Sequence, residues 1–127
     1  MGNKMSARIL IIEDEPILAY ALEELLTDEG FEVVGVAGRI GKALQLIEEC
    51  PCDAAILDAN LAGVSASSAA VALSARGIPY MILSGYSPDQ QDMAFAKALR
   101  VQKPCPPDKI IAALRSLLPV AEVSPPV

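Results

Sequence analysis

The sequence predicts a three-layer α/β domain, a doubly wound (βα)5 parallel sheet with helices on both faces. Two observations predict it. Short, almost wholly apolar runs alternate with longer stretches whose apolar residues recur every three to four positions, the alternation of doubly buried strands with packed helices. Five such pairs fit within 127 residues, the size of one domain with a sizeable core.

Arg8-Ile9-Leu10-Ile11-Ile12 is the first strand, ended abruptly by Glu13-Asp14-Glu15. The spacing then predicts a helix over 16–29, where Ile17/Ala21/Leu25 and Leu18/Leu22/Leu26 repeat at four-residue intervals. Pro16 suits its first turn and Gly30 the position after its last. An apolar strand over 31–37 follows, then a helix over 40–50 with Ile40, Ala43, Leu44 and Ile47 on one face, then a strand over 54–57. A third helix, 65–76, is rich in Ala and Ser and weakly patterned; Gly77 ends it. A strand over 79–83 leads through a loop, 84–89, to a short helix over 90–99 and a brief strand over 100–103. The last helix, 107–118, carries Ile110, Ile111, Leu114, Leu117 and Leu118. The expected domain is therefore 1–118, its core about 6–118, with 119–127 as a flexible tail.

Ten Lys and Arg against sixteen Asp and Glu give a formal charge of −6. No basic block offsets it, which argues against a nucleic-acid footprint. His is absent, so His-based acid–base catalysis, His zinc ligation and a phosphohistidine role are excluded. Apolar residues make up 53% of the chain, yet their runs fall short of the roughly 20 residues a membrane helix needs, and no signal-peptide pattern opens the sequence. A cytoplasmic location is expected. Three cysteines, two of them in Cys50-Pro51-Cys52, do not make a disulfide framework, and a four-ligand metal clip would lack partners.

Open α/β sheets with right-handed crossovers bind ligands at the carboxyl ends of their strands. At those ends stand Glu13 and Asp14, Asp58, Ser84 and Lys103. Crowded carboxylates call for a hard divalent cation, and Mg²⁺ suits a site with few protein ligands. A lysine beside them pairs with a carboxylate or awaits an anion, and a hydroxyl suits a phosphoryl oxygen. Taken singly, each has a plainer reading. Glu13 and Asp14 can be solvated loop starts, Asp58 a helix cap or Asx-turn residue, Ser84-Gly85 an ordinary turn, and Lys103 a surface lysine.

The run RILIIEDEP, the segment DAAILDANLAG, the strand end ILSGY and the late KP, with Asp14, Asp58 and Lys103 separated by 44 and 45 residues, resemble the receiver domain of bacterial two-component response regulators. The likeness covers about 6–118. It implies a flavodoxin-like sheet of strand order 2-1-3-4-5. It also implies that Asp58 is phosphorylated from a kinase histidine, and that Asp14, Asp58 and the Asn60 backbone carbonyl ligate Mg²⁺, with Glu13 acting mainly through water. Lys103 would pair with a phosphoryl oxygen, and Ser84 would bond the phosphoryl group and move the loop after it.

Three positions depart from the pattern. Arg100 stands where an aromatic is usual, Cys105 where Phe follows the Lys-Pro pair, and Ala62 where Pro is frequent. The segment from Pro79 to Tyr86 resembles in part the signature of an alphaproteobacterial receiver subgroup known as FAT GUY, which also lacks that aromatic and has many single-domain members. Without a distant ring to draw inward, the 84–86 loop and the helix after it are the elements expected to respond.

The resemblance implies a stand-alone phosphoacceptor and not an enzyme. Its expected partners are a sensor histidine kinase or histidine phosphotransfer protein and a downstream protein, or it serves as a phosphate sink. No membrane partner is expected, and the expected state is a monomer or weak dimer. The alternative is a phosphorylation-independent binding module, against which Asp14, Asp58, Ser84 and Lys103 speak. An aspartyl-phosphate phosphohydrolase would carry a second aspartate two residues after its first, whereas Asp14 is followed by Glu15-Pro16. A flavin-binding relative would need a Ser/Thr-Gly-rich phosphate loop after the first strand.

Overall fold

The structure, a computed structural model, describes residues 6–61, 63–85, 99–103 and 105–118. Its elements are β1 (Arg8–Ile12), α1 (Pro16–Asp28), β2 (Glu32–Ala37), α2 (Ile40–Glu49), β3 (Ala54–Asp58), β4 (Asn60–Leu61), β5 (Val64–Ser65), α3 (Ser67–Ala75), β6 (Tyr80–Ser84), β7 (Leu99–Gln102) and α4 (Pro107–Leu117). Five strands form one parallel sheet of order β2-β1-β3-β6-β7. This is the doubly wound order expected, with the small β4–β5 hairpin inserted after the third strand.

Strand alternation divides the core between two layers, because successive side chains leave a strand on opposite faces. Leu10, Ile12, Ala55, Leu57 and Ile82 pack with Ala43 and Ile47 of α2 and with Ala69, Ala70 and Leu73 of α3. Ile9, Ile11, Ile56, Met81 and Leu83 pack with Leu22 and Leu26 of α1 and with Ile110, Ile111 and Leu114 of α4. The central strands are therefore buried on both faces, which is why β1, β3 and β6 read as continuous apolar runs.

Four expectations are corrected. In α1 the buried residues are Ala19, Leu22 and Leu26, flanked by half-buried Leu18 and Leu25; Ile17 is 86% exposed and Ala21 is exposed. One helix turns one apolar stripe to a sheet, and the 18–22–25–26 stripe takes that place. In α2, Leu44 lies at the exposed margin while Ala43 and Ile47 are buried. The third helix begins at Ser67 and not at 65, since Val64 and Ser65 pair with Leu61 and Asn60. Leu99, expected at a helix end, pairs with Met81 as the first residue of β7. The rest of that expected helix, Ala62, Tyr86, Pro104 and the 119–127 tail lie outside the described residues.

The register of β1 on β2 shifts between Ile9 and Leu10, whose partners are Val33 and Gly35. A Cβ at Gly35 would lie 3.0 Å from Leu46 Cδ1 and 3.3 Å from Leu10 Cδ1. Gly35→Val should therefore overpack this layer and lower stability by about 1–3 kcal/mol, read as a lower denaturant midpoint at unchanged slope. At the other end of the sheet, Asp53 accepts hydrogen bonds from the Arg8 backbone N–H (2.7 Å) and guanidinium (3.3 Å), fixing where β3 enters beside β1. Burial pushes Asp53 upward, but its bonds from Arg8 outweigh this and hold the carboxyl below its usual value.

Candidate functional site

All the described polar residues of the site stand at or just beyond the carboxyl ends of parallel strands. The Glu13 N–H continues the sheet ladder by donating to Ala37 O (2.9 Å). Asp58 is the last residue of β3, Ser84 the last of β6, and Lys103 follows β7, its N–H donating to Ser84 O (2.9 Å). Asp58 and Ser84 sit on adjacent strands, Leu83 being Asp58's partner in register. The ladder thus delivers residues far apart in sequence to one rim.

Among the charged residues described, Glu13, Asp14, Asp58 and Lys103 form one cluster. Lys103 Nζ lies 3.4 Å from both Glu13 Oε1 and Asp58 Oδ2. Glu13, Asp14 and Asp58 each place a carboxylate oxygen within 4.8 Å of the others. Their depths differ: the Glu13 side chain is fully buried and that of Asp58 8% exposed, while Asp14 is half-buried. Asp58 Oδ1 accepts the Asn60 N–H (3.2 Å), and Ser84 is buried beside it at 6% exposure.

Burial pushes the Glu13 carboxyl up to about 7, with the negative Asp58 adding to the effect against the Glu15 N–H and Lys103. Burial likewise raises Asp58, against the Asn60 N–H and Lys103. Lys103 is pulled down by burial, but its two carboxylate partners outweigh this and hold it above its ordinary value. Glu13 Oε2 accepts the Glu15 N–H (3.1 Å), whereas the buried Glu13 Oε1 accepts no hydrogen bond among the described residues and faces the Lys103 ammonium at 3.4 Å.

That oxygen, within a set of hard carboxylate donors, fits a small divalent cation or a water held by one. Asp14 and Asp58 are the more accessible carboxylates, and Glu13 would be the deep one. Lys103 offsets only part of the negative charge of three carboxylates, so the cluster suits an added cation or, with one in place, an anion beside Lys103.

The pH dependence of the metal-free protein follows from Glu13. Its folded value lies above the usual 4.5, so the stability gained by keeping it protonated is full below about 4.5 and gone above about 7. Without divalent cations, stability should fall by about 1–3 kcal/mol across that window through this residue. Glu13→Gln should flatten the slope and leave the variant more stable than the parent at pH 8, as read by thermal unfolding in chelator across pH.

Two features escaped the sequence. One is the depth of Glu13 and its contact with Lys103; the other is the hairpin after Asp58, in which Asn60 Oδ1 accepts the Gly63 N–H (2.8 Å). The Asn-Leu-Ala-Gly run carried its turn signal, and Gly63, at φ +86, takes the left-handed turn conformation. Arg100 lies in β7, half-buried and in register with Ile82.

Residues 9–115 match the family model described as the response regulator receiver domain. The transcriptional regulatory protein PdtaR of Mycobacterium tuberculosis is 34% identical over 87 residues, covering 68% of this chain and 42% of its own length. The chain thus spans less than half of that curated relative. SdrG from Sphingomonas melonis Fr1 is 39% identical over 88% of this chain and 96% of its own, with a TM-score of 0.76. The response regulator TrrA of Thermotoga maritima, solved in complex with Mg(2+)-BeF, is 28% identical over 90% of this chain and all of its own, with a TM-score of 0.78. The sheet order, the acidic cluster at its carboxyl rim and these matches agree: the chain belongs to the response regulator receiver domain family.

Proposed function

We propose that this chain is a Mg²⁺-dependent phosphoacceptor whose acceptor is Asp58. The observation that carries the reading is the buried Asp58 carboxylate at the end of β3, flanked by Glu13 and Asp14 and 3.4 Å from Lys103. Receiver domains are signalling modules rather than enzymes, and they exchange phosphoryl groups with histidine kinases or phosphotransfer proteins. Here an Asp58 oxygen attacks the phosphorus, the P–N bond to the donor imidazole breaks, and the imidazole leaves with that electron pair. The chain has no His, so the donor histidine lies outside these 127 residues.

Phosphoryl transfer asks a protein for alignment and charge neutralisation more than for covalent chemistry. Asp14, Asp58 and the Asn60 carbonyl would hold Mg²⁺, with Glu13 acting mainly through water, and the ion would supply the neutralisation. Lys103 holds Asp58 before transfer and a phosphoryl oxygen after it, and the Ser84 hydroxyl bonds the same group. That a relative of this chain was solved with Mg(2+)-BeF supports the reading.

The receiver domain spans 1–118 and acts alone in the cytoplasm as a monomer or weak dimer. Its signal leaves by contact with a downstream protein, or the domain serves as a phosphate sink; neither nucleic acid nor membrane takes part. None of the described helices is long and apolar enough to cross a membrane. The partial likeness to the FAT GUY subgroup supports the single-domain reading. Intact-mass measurement after incubation with acetyl phosphate tests the function. A gain of one phosphoryl group with Mg²⁺ and none in excess chelator is expected; no gain in either would leave a phosphorylation-independent binding module.

A further inference from the structure

The hairpin after Asp58 is tied at several points. The Asn60 N–H donates to Asp58 Oδ1 (3.2 Å), and the Asn60 side-chain Oδ1 accepts the Gly63 N–H (2.8 Å). Asn60 pairs with Ser65 and Leu61 with Val64, while the Ala66 N–H donates to Ala59 O (3.0 Å). Leu61, 2% exposed, roots the hairpin in the layer of α2 and α3. The Asn60 side chain, by contrast, is exposed and contributes nothing to that core.

A backbone carbonyl has no rotamers. Its direction is set by the φ and ψ angles around it, and so by whatever closes the turn. We infer that the Asn60 carboxamide is a positioning group for cation binding: by clamping the Gly63 N–H it fixes the backbone of residue 60. The Asn60 carbonyl and the Asp58 carboxylate are thereby presented together to Mg²⁺. The inference rests on the proposed reading of the site, and it gives the Asn60 side chain a task separate from that of its own carbonyl.

The test uses the full chain, Mg²⁺ alone as probe, and two readouts: the Mg²⁺ dissociation constant from the amide shifts of Asp14 and Asp58, and hydrogen exchange of the Gly63 amide without metal. Asn60→Ala should speed Gly63 exchange and weaken Mg²⁺ binding about tenfold, the scale on which groups supporting metal ligands act. Asn60→Asp keeps the acceptor oxygen and should restore both. Gly63→Ala, strained at φ +86, opens the same turn from its other side and should weaken Mg²⁺ binding with Asn60 intact. Unchanged Mg²⁺ affinity in Asn60→Ala overturns the inference, as does affinity regained in Asn60→Asp without Gly63 protection. A parent protein that binds no Mg²⁺ overturns the reading of the site itself, a result distinct from either.

Discussion

Asp58→Asn protein takes up no phosphoryl group from acetyl phosphate at any Mg²⁺ concentration, because the substitution removes the nucleophilic oxygen while nearly preserving side-chain volume. Loss of activity through unfolding is not expected. Asp58 is buried among Glu13, Asp14 and Lys103, its carboxyl is raised by that burial, and one of its oxygens accepts the Asn60 N–H. Asn keeps an acceptor for that N–H and removes a negative charge from a crowded site, and Lys103 keeps Glu13 as partner. The thermal midpoint in chelator should therefore equal or exceed that of the parent at pH 8. Intact mass and thermal unfolding of one sample read both outcomes, and a midpoint well below the parent's would show that Asp58 is there to hold the fold.

Lys103→Ala should be the most destabilising change in the site without metal. It removes the ammonium 3.4 Å from two carboxylates, one wholly and one almost wholly buried. A buried charge left without its partner costs several kcal/mol, and the 24% exposure of Lys103 reduces that to about 1–3 kcal/mol. The pH dependence follows from the carboxyls. Lys103 is held above its ordinary value, so it is charged throughout neutral pH and does not itself produce a slope there. Glu13, already raised to about 7 with the lysine present, rises further without it. The deficit of the variant should therefore be largest at pH 8 and shrink toward pH 5, where Glu13 is protonated in both proteins. Urea unfolding at the two pH values checks the sign. If phosphorylated, the variant should also show smaller amide-shift changes than the parent, because the phosphoryl group lacks the contact through which it pulls on β7.

The sheet was legible because both of its faces are covered. Ile9 to Ile12 and Ala54 to Leu57 have no polar alternation to mislead, and that same continuity marks central parallel strands. Periodicity was less informative where two stripes compete. Ile17/Ala21/Leu25 and Leu18/Leu22/Leu26 are equally regular in α1, and only packing on β1 and β2 decides that Ile17 faces solvent. A two-residue strand has no period at all, so β4 and β5 could be found only through their turn residues.

Proximity at the rim was legible in the same way: a parallel sheet brings every strand's carboxyl end to one side, which gathers Glu13, Asp14, Asp58, Ser84 and Lys103 without any knowledge of side chains. Depth was not. Glu13 and Asp14 are consecutive acidic residues, and the difference between them arises because the Glu13 N–H still bonds to Ala37 O, extending the sheet by one residue. Glu13 therefore falls under the rim while Asp14 reaches its edge, a distinction set by where the ladder stops.

Reductive trapping identifies the phosphoacceptor itself. Borohydride converts an aspartyl phosphate into homoserine and leaves free carboxylates and phosphoesters untouched, so it records both the chemistry and the residue. The full chain would be incubated with acetyl phosphate and Mg²⁺, reduced, digested and sequenced by mass spectrometry, with a chelator-treated sample beside it. Homoserine is expected at position 58 alone and only with Mg²⁺. Homoserine at position 14, or none at all in a folded protein that has bound Mg²⁺, would contradict Asp58 as the acceptor.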